Sequence, residues 1–179
     1  MNKFVIKKFV SEDDIFQMCE LDKRTFKDLN QVDFEVCKNW YNKNPQIYTA
    51  IMKDDTLIGY INFMPVTDTT YKKFREGKLS EQSLTAKDIK IMRPNKEYYC
   101  LFLSVVIDKK YQNTEAFTIL ISNFYKNTKT YLQTHNISIK SILADCVNKK
   151  MEQFVKNSGF KQVFKNENYN IYEGNIFSK

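Results

Sequence analysis

Glycine and proline are scarce in this chain, with 4 and 3 among 179 residues. That argues against a disordered or fibrous chain, whose composition runs the other way. Arginine is nearly missing as well, present only at Arg24, Arg75 and Arg93. Specific phosphate and base readers favour its bidentate fork, and no dense basic block appears. The net charge of +7 therefore reads as a lysine-rich solvated surface, not as a specific nucleic-acid footprint. The one histidine, His135, cannot build a His-rich metal site, and its setting, "QTHNIS", reads as a helix end. The four cysteines, Cys19, Cys37, Cys100 and Cys146, are far apart and match no zinc spacing. Reduced, buried thiols are expected, and no metal. No apolar run approaches the roughly 20 residues that span a bilayer. The opening "MNKFVIKKFVSEDD" meets acids too early for a secretory signal. A cytoplasmic protein without a membrane partner is expected.

What is present points to a packed globular chain: 42% hydrophobic and 15% aromatic residues in a length that fits one domain, 1–179. "KFVIKKFV" (3–10) reads as a strand. Ser11 with Asp14 three positions on is a capping-box pattern that starts a helix. A second helix is expected at 33–42, before Pro45. Strands at 47–55 and 57–66 flank the turn "DDT" as a hairpin. Residues 67–97 are polar and too long for a hairpin loop. This insertion is expected to hold a short helix at 69–76, a turn at Gly77 and a second short helix near 85–91, and it reads equally as a binding lid or a surface elaboration. "EYYCLFLSVVID" (97–108) is apolar on both faces and so central. From Glu115, apolar residues at Phe117, Leu120, Ile121, Phe124 and Tyr125 mark an amphipathic helix. A strand at 137–146 follows, then a helix at 148–159 capped by Asn148 and stopped by Gly159. Two strands around the turn "KNEN" close the chain. The two helical crossovers after the central strand imply local parallel pairing, and the first half is antiparallel. The expected fold class is α/β (mixed α+β): a mixed sheet of about seven strands with helices on both faces.

Two stretches, "NKKMEQFVKNSGF" and "VIDKKYQNTEAFTIL", resemble the GNAT N-acetyltransferase superfamily, and the likeness spans nearly the whole chain. In "NKKMEQFVKNSGF", Asn148, Met151, Phe154, Val155, Gly159 and Phe160 fall in register with that family's late helix and its Gly-Phe ending. In "VIDKKYQNTEAFTIL", Ile107, Lys109, Tyr111, Gln112, Asn113, Thr114, Glu115, Ala116, Phe117 and Leu120 fill the places of the family's V-x-P-x-Y-R-G-K-G-I-G-x-x-L run. The resemblance implies an acyl-CoA-dependent N-acyltransferase with acetyl-CoA as co-substrate and a small-molecule or peptide amine as acceptor. It implies that amides of the turn, residues Gln112, Asn113, Thr114, Glu115, Ala116, Phe117 and Thr118, hold the coenzyme A pyrophosphate at a helix N-terminus. It further implies that the strand backbone at Val105 and Ile107 pairs with the pantetheine arm, and that Asn148 and Phe154 lie along it, with acyl-CoA between the central strand and "SIKSILADC". A homodimer paired through the last strand also stays open.

The turn departs from the family by carrying no glycine. Glu115 places a negative charge beside a dianion, and Phe117 places bulk where the family has Gly or Ala. The family's glutamate base matches Leu101, and its tyrosine acid matches Val155; both are aliphatic. The candidate catalytic groups left are Tyr99, on the face of Leu101, Ser104 on the other face, and Cys146 at the end of the next strand. Two readings follow: an N-acyltransferase that works mainly by positioning, or a catalytically silent GNAT-fold binding or regulatory module.

Overall fold

Ser11 starts the first helix as its sequence requires. Its hydroxyl accepts from Asp14 N at 3.2 Å, and the Asp14 carboxylate accepts from Ser11 N at 2.5 Å. Such local grammar sets most element edges in the computed structural model, which describes residues 4–26, 31–167 and 169–178. Lys3, at the start of the strand expected at 3–10, and Asn168, in the turn expected before the last strand, lie outside the described residues.

Among the described residues, seven strands form one mixed sheet in the order β1-β2-β3-β4-β5-β7-β6. They are β1 (Val5–Lys7), β2 (Tyr48–Lys53), β3 (Thr56–Val66), β4 (Glu97–Ile107), β5 (Ser138–Cys146), β6 (Lys161–Lys165) and β7 (Asn170–Gly174). Among the described residues five helices accompany them: α1 (Glu12–Thr25), α2 (Phe34–Lys43), α3 (Asp68–Arg75), α4 (Ala116–Thr134) and α5 (Lys149–Asn157). β4 occupies the centre of the order, as its two apolar faces require.

Two of the topological expectations need correction. Only the first crossover returns to a directly paired neighbour: β4 and β5 are parallel, but β6 pairs with β7 alone. β7 is antiparallel to both β5 and β6 and separates them. The last strand therefore lies inside the sheet, hydrogen-bonded on both sides, and does not end it.

The chain resolves into two compact units, Met1–Asn62 with Ser104–Thr130 and Phe63–Leu103 with Tyr131–Lys179. In the first unit, β1 is shorter than the strand expected at 3–10. It pairs with β2 from Val5↔Met52 to Lys7↔Ala50, and the chain then turns to cap α1. Asp54 and Asp55 both have positive φ, 50° and 59°, which is the two-residue hairpin turn whose twist matches the strands. Gly59 faces the end of β4 so closely that a Cβ there would meet Val106 O at 2.5 Å. Ile15, Leu21, Trp40, Ile51, Ile58 and Ile61 are buried. Cys37 of α2 hydrogen-bonds Cys19 of α1, which pulls the Cys19 thiol below its ordinary value. All four cysteines are free thiols, with Cys37 half-buried and the other three buried.

In the second unit, α4 and α5 end alike. Asn136 (φ 50°) and Gly159 (φ 86°) take the left-handed position. Ile137 N then donates to Leu132 O, and Phe160 N to Val155 O, closing the carbonyl ends as a Schellman motif does. The expected helix near 85–91 is absent. A 3-10 turn covers Glu81–Ser83 instead, and Asp88 explains the rest. Its carboxylate accepts from Thr85 N and Thr85 Oγ1 at 2.8 Å and from Thr70 Oγ1 at 2.6 Å. Ile89 then bridges to Val66, and Lys90 N donates to Pro65 O at 2.9 Å. The insertion is thus strapped back to β3 and buries Tyr71, Phe74, Leu84 and Ile89.

Candidate functional site

The junction of β4 with α4 lies in the first unit. A 3-10 turn at Lys109–Tyr111 follows the strand, capped by Asp108, whose side chain accepts from Lys110 N at 3.0 Å. Asp108 N donates to Ile58 O at 2.8 Å, which ties the turn to β3. Gln112 Nε2 reaches back to Ile107 O at 3.2 Å, and Thr114 N donates to Tyr111 O at 3.1 Å. No residue from 108 to 118 has a positive φ. The turn therefore needs no glycine to be made, and its glycine-free sequence is compatible with its backbone.

The start of α4 has orphan donors, as any helix does. Thr114 satisfies one of them: its hydroxyl accepts from Ala116 N at 3.2 Å while donating to Tyr111 O at 2.7 Å. Among the described residues, the amides of Asn113, Glu115 and Thr118 have no acceptor. Gln112, Asn113, Thr114, Glu115 and Thr118 are exposed, Phe117 is half-buried and Ala116 is buried. The Glu115 side chain is therefore solvated, which weakens its repulsion of an anion held by the backbone. An exposed turn with open amides at the start of a 19-residue helix fits a phosphate group.

In the second unit, β4 and β5 pair in parallel from Glu97↔Ser138 to Phe102↔Ala144, where the register ends, whereas β4 itself continues to Ile107. Ser104 and Val105 are half-buried, and Ile107 is buried. Tyr99 lies opposite Ser141, and its ring stacks on Tyr71 at 4.2 Å with Lys140 Nζ 5.4 Å above it. Tyr71 OH donates to Glu173 at 2.7 Å, and Arg75 holds the same carboxylate through Nε and Nη2 at 3.1 and 2.9 Å. Burial opposes ionisation of Glu173, but Arg75 and Tyr71 outweigh it and hold its pKa below the ordinary value. Burial, followed by the bond to Glu173, pushes the Tyr71 phenol well up.

Cys146 lies at the far end of β5, opposite Asn170. From Ser141 to Cys146 is five strand steps, about 16 Å, so Tyr99 and Cys146 do not converge on one reacting centre. Burial, with the Asp145 carboxylate beside it, pushes the Cys146 thiol up to about 12; it is a neutral thiol near pH 7. Asn148 caps α5, accepting from Met151 N at 3.0 Å, and Phe154 is half-buried on the same helix. Sequence reasoning gave Asp145 no role, yet burial alone pushes its pKa to about 7. Its Oδ1 is sealed from solvent with no hydrogen-bond partner. The only sequence signal is an acid directly after the apolar run Ile142, Leu143 and Ala144.

A cavity of about 560 Å³ in the first unit is lined by Lys7, Asp13, Asp14, Asp54 and Asp55 among others, and by none of the candidate catalytic or cofactor-binding residues. Among the described residues no group of three or more His, Cys, Asp or Glu could hold a metal. No helix among them is long and apolar enough to cross a membrane.

No family model matches the sequence, and no curated protein does. Solved structures do resemble this one across the chain. The loading GNATL domain of CurA from Lyngbya majuscula has 13% identity and a TM-score of 0.65, with 98% of each chain covered. An acetyltransferase of the GNAT family from Staphylococcus aureus Mu50 has 12% identity and a TM-score of 0.60, covering 97% of this chain and 99% of its own. Arabidopsis thaliana Naa50, in complex with the bisubstrate analogue CoA-Ac-MVNAL, has 8% identity and a TM-score of 0.58, covering 96% and 98%. The fold, a seven-stranded mixed sheet with five helices, is that of the GNAT acetyltransferases.

Proposed function

We propose that this GNAT-fold chain is an acyl-CoA-dependent N-acyltransferase, with acetyl-CoA as donor and a primary amine, free or on a peptide, as acceptor. The observation that carries the reading is the β4–α4 junction: a strand followed by an exposed turn whose amides at Asn113, Glu115 and Thr118 lack acceptors. Those amides, with the rest of 112–118, would take the pyrophosphate. The backbone at Val105 and Ile107 would pair with the pantetheine arm as an added strand. Asn148 would contact the same arm through its amide hydrogens, since its Oδ1 already caps α5, and Phe154 would pack along it. When bound, the thioester supplies an activated acyl carbon. The protein's part is to hold that carbon and the amine together, which can lower a barrier by about 7–11 kcal/mol. Tyr99, Ser104 and Cys146 remain candidate proton donors or hydrogen-bonding groups within this reading.

The amine is supported by likeness of fold to a protein bound to a coenzyme A–peptide analogue. The test is to incubate the purified protein with acetyl-CoA and a panel of amines and N-terminal peptides, following release of coenzyme A thiol. Turnover with at least one acceptor is expected; none, from protein that binds acetyl-CoA, removes the enzymatic reading.

Thr114 favours a second reading. Its hydroxyl already fills the Ala116 amide, and the family's acid and base positions are aliphatic. A silent module would keep the fold with a self-satisfied turn. Under that reading, Glu115→Gly with Phe117→Gly should create coenzyme A binding that the wild type lacks. Under the acyltransferase reading, the wild type already binds.

A further inference from the structure

One acid stands apart among the described residues. Asp145 is the residue of β5 immediately after the last parallel pair with β4, Phe102↔Ala144, and it lies opposite Ile171 of β7. It is half-buried, with Oδ1 sealed and unpartnered. Of the charged groups on α5 and β7, Lys149 and Lys150 are exposed at the start of α5, and the others are engaged elsewhere. On α5, Glu152 accepts from Asn170 at 2.8 Å and from Tyr172 at 3.1 Å, and it lies 3.7 Å from Lys156. On β7, Glu173 is held by Arg75 and Tyr71. The titratable residues of β4, Glu97 to Cys100, lie at the other end of the paired run. Withdrawing a carboxylate from water without a partner is costly. In open α/β sheets, the carboxyl ends of parallel strands are where ligands bind. A carboxylate withdrawn from water at such a strand end is a candidate functional group.

We propose that Asp145 is the general base that deprotonates the acceptor amine. The inference rests on the acyltransferase reading and names a residue for it. The Asp145 carboxylate takes one proton from the acceptor ammonium, leaving a neutral amine. The amine lone pair attacks the thioester carbonyl carbon, and a C–N bond forms. The C–S bond breaks, and its electron pair leaves on sulfur. The surplus proton on nitrogen passes to that thiolate, giving the free thiol, and Asp145 returns its proton to water. The sum is ammonium plus thioester giving amide, thiol and one proton. A carboxylate that ionises near pH 7 is matched to this task at neutral pH.

The experiment is steady-state acylation from pH 5.5 to 9 for the wild type, Asp145→Asn and Asp145→Glu, with acetyl-CoA titrated calorimetrically into each. In the wild type, kcat/KM is expected to rise through an apparent pKa near 7, distinct from the amine's own. Asp145→Asn should lower kcat by about 100-fold or more, flatten that limb and leave acetyl-CoA binding unchanged, and Asp145→Glu should recover part of the rate. Thermal melting separates this from a structural role, because Asp145→Asn should melt no lower than the wild type. Wild-type turnover that Asp145→Asn retains, limb included, overturns the base alone. If Asp145→Asn fails to fold, a flat wild-type profile through pH 7 overturns the base. Absence of wild-type acylation with every amine overturns the acyltransferase reading and the base with it.

Discussion

Each compact unit holds one half-buried acid whose pKa burial raises, Asp22 in the first and Asp145 in the second, and a tyrosine distinguishes them. Asp22 of α1 accepts from Tyr60 OH of β3 at 2.5 Å. Burial pushes its pKa up, the tyrosine pulls it back, and it comes to about 6. Asp145 feels burial only, and comes to about 7. Both keep a sealed Oδ1 without a partner. The tyrosine is the difference. Asp22 ties a helix to a strand, which is a reason to be there. Among the described residues Asp145 Oδ1 has no hydrogen-bond partner, so no such bond offsets the cost of holding it. A group that lowers stability without a structural return is where a chemical role should be sought.

Exchanging the two acids for neutral groups should break the comparison most visibly in rate. Asp145→Asn is expected to lose acylation by about 100-fold or more, whereas Asp22→Asn should keep it; equal losses in a thiol-release assay would erase the distinction. Stability should move the opposite way. Asp22→Ala leaves Tyr60 OH buried without its acceptor and is expected to cost about 1–3 kcal/mol, read from denaturant midpoints. Asp145→Asn should gain about 1–3 kcal/mol above pH 7.

The pH dependence of that gain has a fixed sign. Asp145 is raised from an ordinary 3.8 to about 7, so between those values the folded chain holds a proton that the unfolded chain has released. Its contribution is fully present below pH 3.8 and is lost as pH rises through about 7. The stability difference between Asp145→Asn and the wild type should therefore grow from pH 4 to pH 7 and then level off, as urea melts at stepped pH would record. The smallest expected effect sharpens the other side. Tyr60→Phe removes the group that lowers Asp22, so the Asp22 carboxyl, followed by carbon NMR, should titrate above its present value of about 6.

Local rules explain what was readable beforehand. Ser11, Asp14, Asn148 and Gly159 set helix ends through bonds no more than five residues long, and all four lie where the sequence placed them. The central place of β4 followed from its two apolar faces. The insertion of β7 between β5 and β6 was not readable, because both crossovers look alike in sequence and the hairpin partner is chosen at long range. Residues 85–91 have a helical composition, but Asp88 spends its carboxylate on Thr85 and Thr70. The candidate site divides the same way. The sequence located the β4–α4 turn but made its missing glycines look damaging. The backbone shows no left-handed residue there, so nothing demanded them. The sequence offers Tyr99 and Cys146 on neighbouring strands, and the register of β5 sets them far apart. Asp145 went without a role because the lack of a partner is a tertiary fact.

The most direct test is calorimetric titration of the purified protein with acetyl-CoA and with free coenzyme A. Binding at micromolar ligand is expected, meaning that the amides of residues 112–118 hold the pyrophosphate without glycine. No heat up to millimolar ligand would contradict the account and turn the search toward a partner for the 67–97 insertion.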